Sequence, residues 1–102
     1  MLHGAFQRTI ETMPQWDAAQ KARRDQGEPV RMAILRETLR RRNEREPSST
    51  WAELGSAVGV AGETAKYHCR VLRRRGWVDF QDGRPRTLVL TEAGEAAIQP
   101  EG

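Results

Sequence analysis

Apolar positions along this chain recur first with the period of a helix and, near the end, with the period of a strand. In the first 28 residues Phe6, Ile10 and Met13 fall at helical spacing before Pro14 interrupts them. "QWDAAQKARRDQG" follows as a second helical stretch, with Asp17 and Lys21 set for an i,i+4 pair and Gly27 placed as its C-cap. This segment holds Trp16 and few other large apolar residues, so it needs a surface to pack on, either the main domain or a second copy of the chain. Pro29 suits a helix first turn, and "PVRMAILRETLRRRNER" then sets Val30, Ile34, Leu35 and Leu39 on one face and arginines on the other.

"EREPSS" ends that helix, and "TWAE" opens the next with a capping box, Thr50 as N-cap and Glu53 three residues on. Leu54 and Val58 give this short helix its apolar face, and Gly59 and Gly62 break it. A third helix is predicted from about Glu63 to Arg75, with Ala65, Cys69 and Leu72 at i, i+4 and i+7 facing inward. Arg73, Arg74 and Arg75 complement the negative end of its dipole, and Gly76 supplies the stop. The period then drops to two. "WVDF" and "TLVL" read as strands of an antiparallel hairpin around "DGRPR", and Thr91 caps a last helix, Glu92 to Ile98.

The expected class is mainly α with a small antiparallel β-hairpin, an α+β domain. The order of helix, helix, tight turn, helix, hairpin, helix is that of a winged helix-turn-helix. It divides the chain into a helical extension over 1–28, suited to dimerisation, a domain over 29–98, and a tail over 99–102. "TWAELGSAVGVAGETAKYHCRVLRRRGWV" is similar to the general bacterial winged-helix pattern of capped helix, "GV" turn, polar helix start, charged run and "GWV". "GRPR" resembles the wing of LexA-type DNA-binding domains, "LTEAG" the strand-to-helix step of MarR-type regulators, and "YHCRVLRRRGWV" a stretch of ArsR-type repressors. The resemblance covers roughly residues 29 to 98 and implies the fold rather than one subfamily.

Charge sharpens this picture. Seventeen Lys and Arg against 14 Asp and Glu give a net charge of only +3, so distribution matters more than total. Arg36, Arg40, Arg41 and Arg42 form one cluster, and six arginines from Arg70 onward form another, a distribution that suits a polyanionic partner or two solvated helix faces. With Ala65, Cys69 and Leu72 inward, the third helix turns Glu63, Thr64, Lys66, Tyr67 and Arg70 outward. Lys66 and Arg70 can donate to guanine O6 and N7, and Glu63 can accept from cytosine N4. Thr64 and Tyr67 can bond phosphate or touch a thymine methyl, and Thr50 joins this candidate DNA-binding set. At the hairpin tip Gly83 permits the turn, Pro85 stiffens it, and Arg84 and Arg86 project on either side toward a narrow minor groove or phosphate.

Other chemistry recedes. "GSAVGVAG" lacks the GK[ST] ending of a phosphate loop, Ser56 lacks a nucleophile elbow, and no paired carboxylates stand out, so no enzyme is expected. His3, His68 and Cys69 are the only His and Cys residues; adjacent His68 and Cys69 on a helix cannot both face one ion, and no metal or cofactor is expected. His68 reads as a partly buried packing residue. One cysteine, no apolar run of the roughly 20 residues needed to span a bilayer and no signal-peptide core at the N-terminus point to a soluble cytoplasmic protein. The expected function is sequence-specific binding of double-stranded DNA by a homodimeric transcriptional regulator, a repressor, with another regulatory protein as a further partner. The alternative is a winged-helix module that docks on protein.

Overall fold

The structure, a computed structural model, describes residues 27–99. Among them the chain is mainly helical, with a two-stranded antiparallel sheet. Helix α1 is followed from residue 27, where the described residues begin, to 43; then come α2 (Trp51–Val58), α3 (Gly62–Arg74), β1 (Val78–Asp79), β2 (Val89–Leu90) and α4 (Glu92–Ile98).

The polar residues between the apolar ones set these boundaries. The Thr50 hydroxyl accepts from Glu53 N–H at 3.1 Å while the Glu53 carboxylate accepts from Thr50 N–H at 3.0 Å, so two orphan donors of α2 are satisfied reciprocally. Thr91 caps α4, accepting from Gly94 N–H at 3.0 Å, and its own hydroxyl donates to the Gly76 carbonyl at 2.6 Å. That second bond ties the start of α4 to the end of α3. Three helices end with a residue in the left-handed region. In α2 and α3 it is Gly59 or Gly76; in α1 it is Arg45, at φ +58°, with Glu46 N–H bonded back to the Arg41 carbonyl at 2.8 Å.

Apolar faces from every layer meet in one core. Ile34 and Leu35 of α1, Leu54 of α2, Ala65, Cys69 and Leu72 of α3, and Val78, Phe80 and Leu88 of the hairpin are all buried. Trp51 packs edge-on against Phe80, with ring centroids 5.0 Å apart. Two glycines permit backbone to approach backbone. A Cβ on Gly55 would stand 2.5 Å from the Val60 carbonyl oxygen, so α2 and the start of α3 come as close as their main chains allow. One on Gly94 would collide with the Trp77 carbonyl oxygen, against which α4 is pressed at the strand entry. Any side chain at either position displaces a helix.

The inward positions of α3 and both threonine caps fall where the sequence places them, and the boundaries of α2, α3 and α4 lie within a residue, whereas α1 ends two residues early and is already helical at residue 27. Three details differ. Gly27 is not a helix C-cap: residues 27–30 are helical, and the missing Cβ leaves room for the Arg31 guanidinium, 2.8 Å from where it would stand. Gly62 begins α3 rather than breaking α2, and it lies close against Ala52, whose backbone would be 3.3 Å from a Cβ at this position. The strands pair over two residues each, Val78 with Leu90 and Asp79 with Val89. Beyond them the Thr87 side chain closes the loop, its Oγ1 accepting from Gln81 N–H at 2.9 Å, so side-chain bonds replace the ladder.

Candidate nucleic-acid interface

Helix α3 is sharply two-faced because its apolar residues obey the helical period. Ala65, Cys69 and Leu72 have no exposed surface, whereas Glu63, Thr64, Tyr67, Arg70 and Arg74 are exposed and Lys66 is half-buried. Lys66, Arg70 and Arg74 stand at i, i+4 and i+8 and so form one cationic stripe. None of the three makes an ion pair or side-chain hydrogen bond among the described residues. Tyr67 is the most exposed large apolar residue among those described, at 56%, and its ring meets His68 edge-on at 5.3 Å. The expected outward set is therefore brought together on one surface, and Arg74 belongs to it. Its spacing from Arg70 could have revealed it, but its place in the "RRR" run suggested a helix-dipole role instead.

The N-terminus of α3 also differs from those of α2 and α4. Its N-cap is Ala61, which supplies no side-chain acceptor, so the first N–H groups of the helix remain available to an anionic oxygen. Thr50 lies at the start of α2, where its hydroxyl accepts the cap bond and still has its own proton to donate.

Arg73 fixes the hairpin beside this surface. Its guanidinium lies 3.9 Å over the Phe80 ring, donates to the Phe80 carbonyl at 3.1 Å and reaches Asp82 at 3.4 Å. Stacking and a fork of donors at once demand arginine rather than lysine there. The hairpin tip then separates the two expected arginines. Arg84 is exposed, and its side chain makes no such contact among the described residues. Arg86 does not project from the tip. It takes φ +61°, and its guanidinium turns back to α2, forking onto the Glu53 carboxylate at 3.0 Å for each bond and donating to the Ser48 carbonyl at 3.1 Å. The reason is local: Glu53 is already oriented by the capping box, which presents a fixed carboxylate to the loop. The Glu53 carboxyl is held below its usual range by the Thr50 N–H and then by Arg86.

Behind the stripe lies a network absent from the sequence expectation. Arg31 of α1 is buried at 7% exposure and donates to Glu28 at 2.9 Å and to His68 Nδ1 at 3.0 Å. A guanidinium can only donate, so His68 Nδ1 accepts and the ring is neutral with its proton on Nε2. Burial and then the Arg31 charge push the His68 pKa down. Glu28 also receives Arg75, and these two guanidinium partners, Arg75 foremost, lower its carboxyl to about 2. His68 is thus a buried, hydrogen-bonded link between α3 and α1 rather than a partly buried packing residue. Cys69 beside it is fully buried, and burial raises its thiol to about 12, which leaves it inert.

The arginine cluster of α1 is of another kind. Arg40 pairs with Glu37, Glu44 and Glu46, Arg41 with Glu37 at 3.0 Å, and Arg42 with Glu95 at 2.9 Å. Arg40 first, and Arg41 after it, hold the Glu37 carboxyl at about 2. Among the described residues no group of three or more His, Cys, Asp or Glu side chains is placed to hold a metal ion, and no helix is long and apolar enough to cross a membrane. Comparison with protein-family models, curated proteins and solved structures found no match.

Proposed function

We propose that this chain binds double-stranded DNA sequence-specifically, as a winged helix-turn-helix transcriptional regulator, a repressor, working as a homodimer. In this arrangement α2, the turn at Gly59–Ala61 and α3 form the helix-turn-helix, α3 enters the major groove, and the hairpin is the wing. The observation that carries the proposal is the stripe of Lys66, Arg70 and Arg74 with Thr64 and Tyr67. These cations have no carboxylate partners of their own among the described residues, and the stripe begins beside an uncapped helix start. Lys66 and Arg70 are placed to read guanine, Glu63 to read cytosine, and Arg74 and the Ala61–Thr64 backbone to hold phosphate.

Arg84 is the wing's candidate for the minor groove, and Arg86 the clamp that sets the wing's angle against α2. Replacing Arg84 with alanine should lower affinity most for operators with A·T-rich flanks. If it touches phosphate only, the salt slope falls by roughly 0.9 with no flank preference. The dimerisation element assigned to residues 1–28 lies, apart from its last two residues, outside the described residues; Glu28, within it, is bonded into the domain through Arg31 and Arg75.

The test is a fluorescence-polarisation titration of the whole chain against random and A·T-rich duplexes at several salt concentrations. A dissociation constant that rises steeply with salt and differs between duplexes by roughly tenfold or more is expected. Binding that is undetectable even at low salt, about 50 mM, would reject the DNA function and leave the protein-docking module as the reading to pursue.

A further inference from the structure

Away from α3, the end of α1, the 46–49 segment and β2 enclose a cleft of about 520 Å³. No residue of α3 lines it, although β2 belongs to the hairpin and the Ser48 carbonyl accepts from Arg86. Its size falls within the roughly 300–1,000 Å³ typical of small-molecule sites. Its apolar lining comes from Leu88, Val89 and Leu90; Leu88 is buried in the core, while Val89 is 52% exposed and is the accessible apolar side chain. Its charged lining is Arg41, Arg42 and Arg45 with one carboxylate, Glu46.

Those four charges are not equivalent. Glu46 is engaged by Arg40, Arg41 by Glu37 and the Pro47 carbonyl, and Arg42 by Glu95. Arg45 has no such partner among the described residues, and it takes the left-handed backbone of the α1 terminus. Ser49 adds a second unmatched polar group. The residue is 5% exposed, yet its hydroxyl makes no hydrogen bond among the described residues. Among those residues no fully enclosed polar side-chain atom lacks a partner, so this hydroxyl keeps accessible surface in a residue that lines the cleft.

An apolar lining that shares one cleft with an uncompensated guanidinium and an unused hydroxyl defines one ligand chemistry. We propose that the cleft binds a small amphipathic carboxylate, its chain or ring on Leu88, Val89 and Leu90 and its carboxylate on Arg45 and Ser49. A planar carboxylate matches the guanidinium fork with two parallel bonds, and the serine hydroxyl takes a remaining lone pair.

The test uses octanoate as probe and octanamide as its uncharged counterpart, titrated into the ¹⁵N-labelled full chain and followed by amide shifts. Octanoate should move Ser48, Ser49 and Leu88 to Leu90 saturably, with a dissociation constant of about 1 mM or tighter. Octanamide should bind at least roughly tenfold more weakly, because it forfeits the charge-assisted bonds. Arg45→Gly is the key variant. It removes the guanidinium while favouring the local backbone, so the protein stays folded, and it should weaken octanoate at least about fivefold. Val89→Asp, at an exposed position, should abolish binding by facing the ligand with a like charge. Shifts confined to other parts of the chain, equal binding of acid and amide, or full affinity in Arg45→Gly would each overturn the proposal.

Discussion

Helices α1 and α3 are both rich in arginine, and the protein uses the two sets in opposite ways. On α1 the guanidiniums of Arg40, Arg41 and Arg42 all meet glutamates: Glu37 and Glu44 from around the helix itself, Glu46 just beyond it and Glu95 from α4. At the end of α3, Arg73 and Arg75 are tied to Asp82 and Glu28, while Lys66, Arg70 and Arg74 have no carboxylate opposite among the described residues. A run of basic residues therefore says little until its counter-charges are placed. Three of the four arginines of the α1 cluster are matched by carboxylates, Arg36 alone having no ion pair among the described residues, whereas the α3 stripe leaves its field open to a polyanion.

That contrast can be broken directly, and the largest effect expected in this molecule lies there. Replacing Lys66, Arg70 and Arg74 together with alanine should abolish specific DNA binding. The base-reading contacts of Lys66 and Arg70 are worth about 1–3 kcal/mol each, and loss of the Arg74 phosphate contact would flatten the salt slope by roughly 0.9. Replacing Arg40, Arg41 and Arg42 with glutamine should leave both affinity and slope nearly unchanged. Equal losses from the two triple variants would mean that the carboxylates around α1 do not screen it, and the comparison would fail.

A smaller effect separates the helices' interiors. Arg31 is the α1 arginine that reaches α3, and Arg31→Leu keeps much of its bulk while leaving His68 Nδ1 without a donor in a buried site. A loss of about 1–3 kcal/mol in unfolding free energy is expected, measured by urea titration. The same network makes stability depend on pH with a definite sign. His68 has its pKa lowered from 6.5 in the folded state, so the unfolded chain binds its proton first and stability declines as pH falls below 6.5. Glu28 and Glu37 sit near 2 against an unfolded value of 4.5, so their contribution is complete above 4.5 and is lost as pH falls toward 2. His68→Gln should remove the first limb and leave the second.

Much of this was legible in the sequence, for reasons that separate local from distant causes. Thr50 with Glu53, Thr91, Gly59 and Gly76 mark helix ends by bonds that span a few residues, and each stands where the pattern put it. The inward face of α3 follows from spacing alone. What was hidden depends on partners far along the chain: Arg31 on His68, 37 residues on, and Arg86 on Glu53, 33 residues back. A charged residue that a helical pattern assigns to the polar face can still be buried when a carboxylate and an imidazole nitrogen converge on it. The engagement of Arg86 likewise required knowing that the capping-box carboxylate faces the hairpin.

The ends of the same two helices offer the last and smallest test. Both close with a left-handed residue, glycine in α3 and arginine in α1. An L-residue in that region carries a Cβ crowded against the following carbonyl, at a cost of about 1–2 kcal/mol, part of which glycine gives back through its freer unfolded chain. Arg45→Gly should therefore stabilise by about 0.5–1 kcal/mol, and Gly76→Ala should destabilise by a similar amount. For a domain of this size that is a shift in Tm of a few degrees, upward for the first and downward for the second. Arg45 also bears the guanidinium that faces the cleft, so a more stable protein with a weaker hold on octanoate would show a strained residue kept for its side chain. A Tm that falls in Arg45→Gly would mean instead that the arginine stabilises the α1 terminus by more than its backbone costs, and the two helix ends would be equivalent after all.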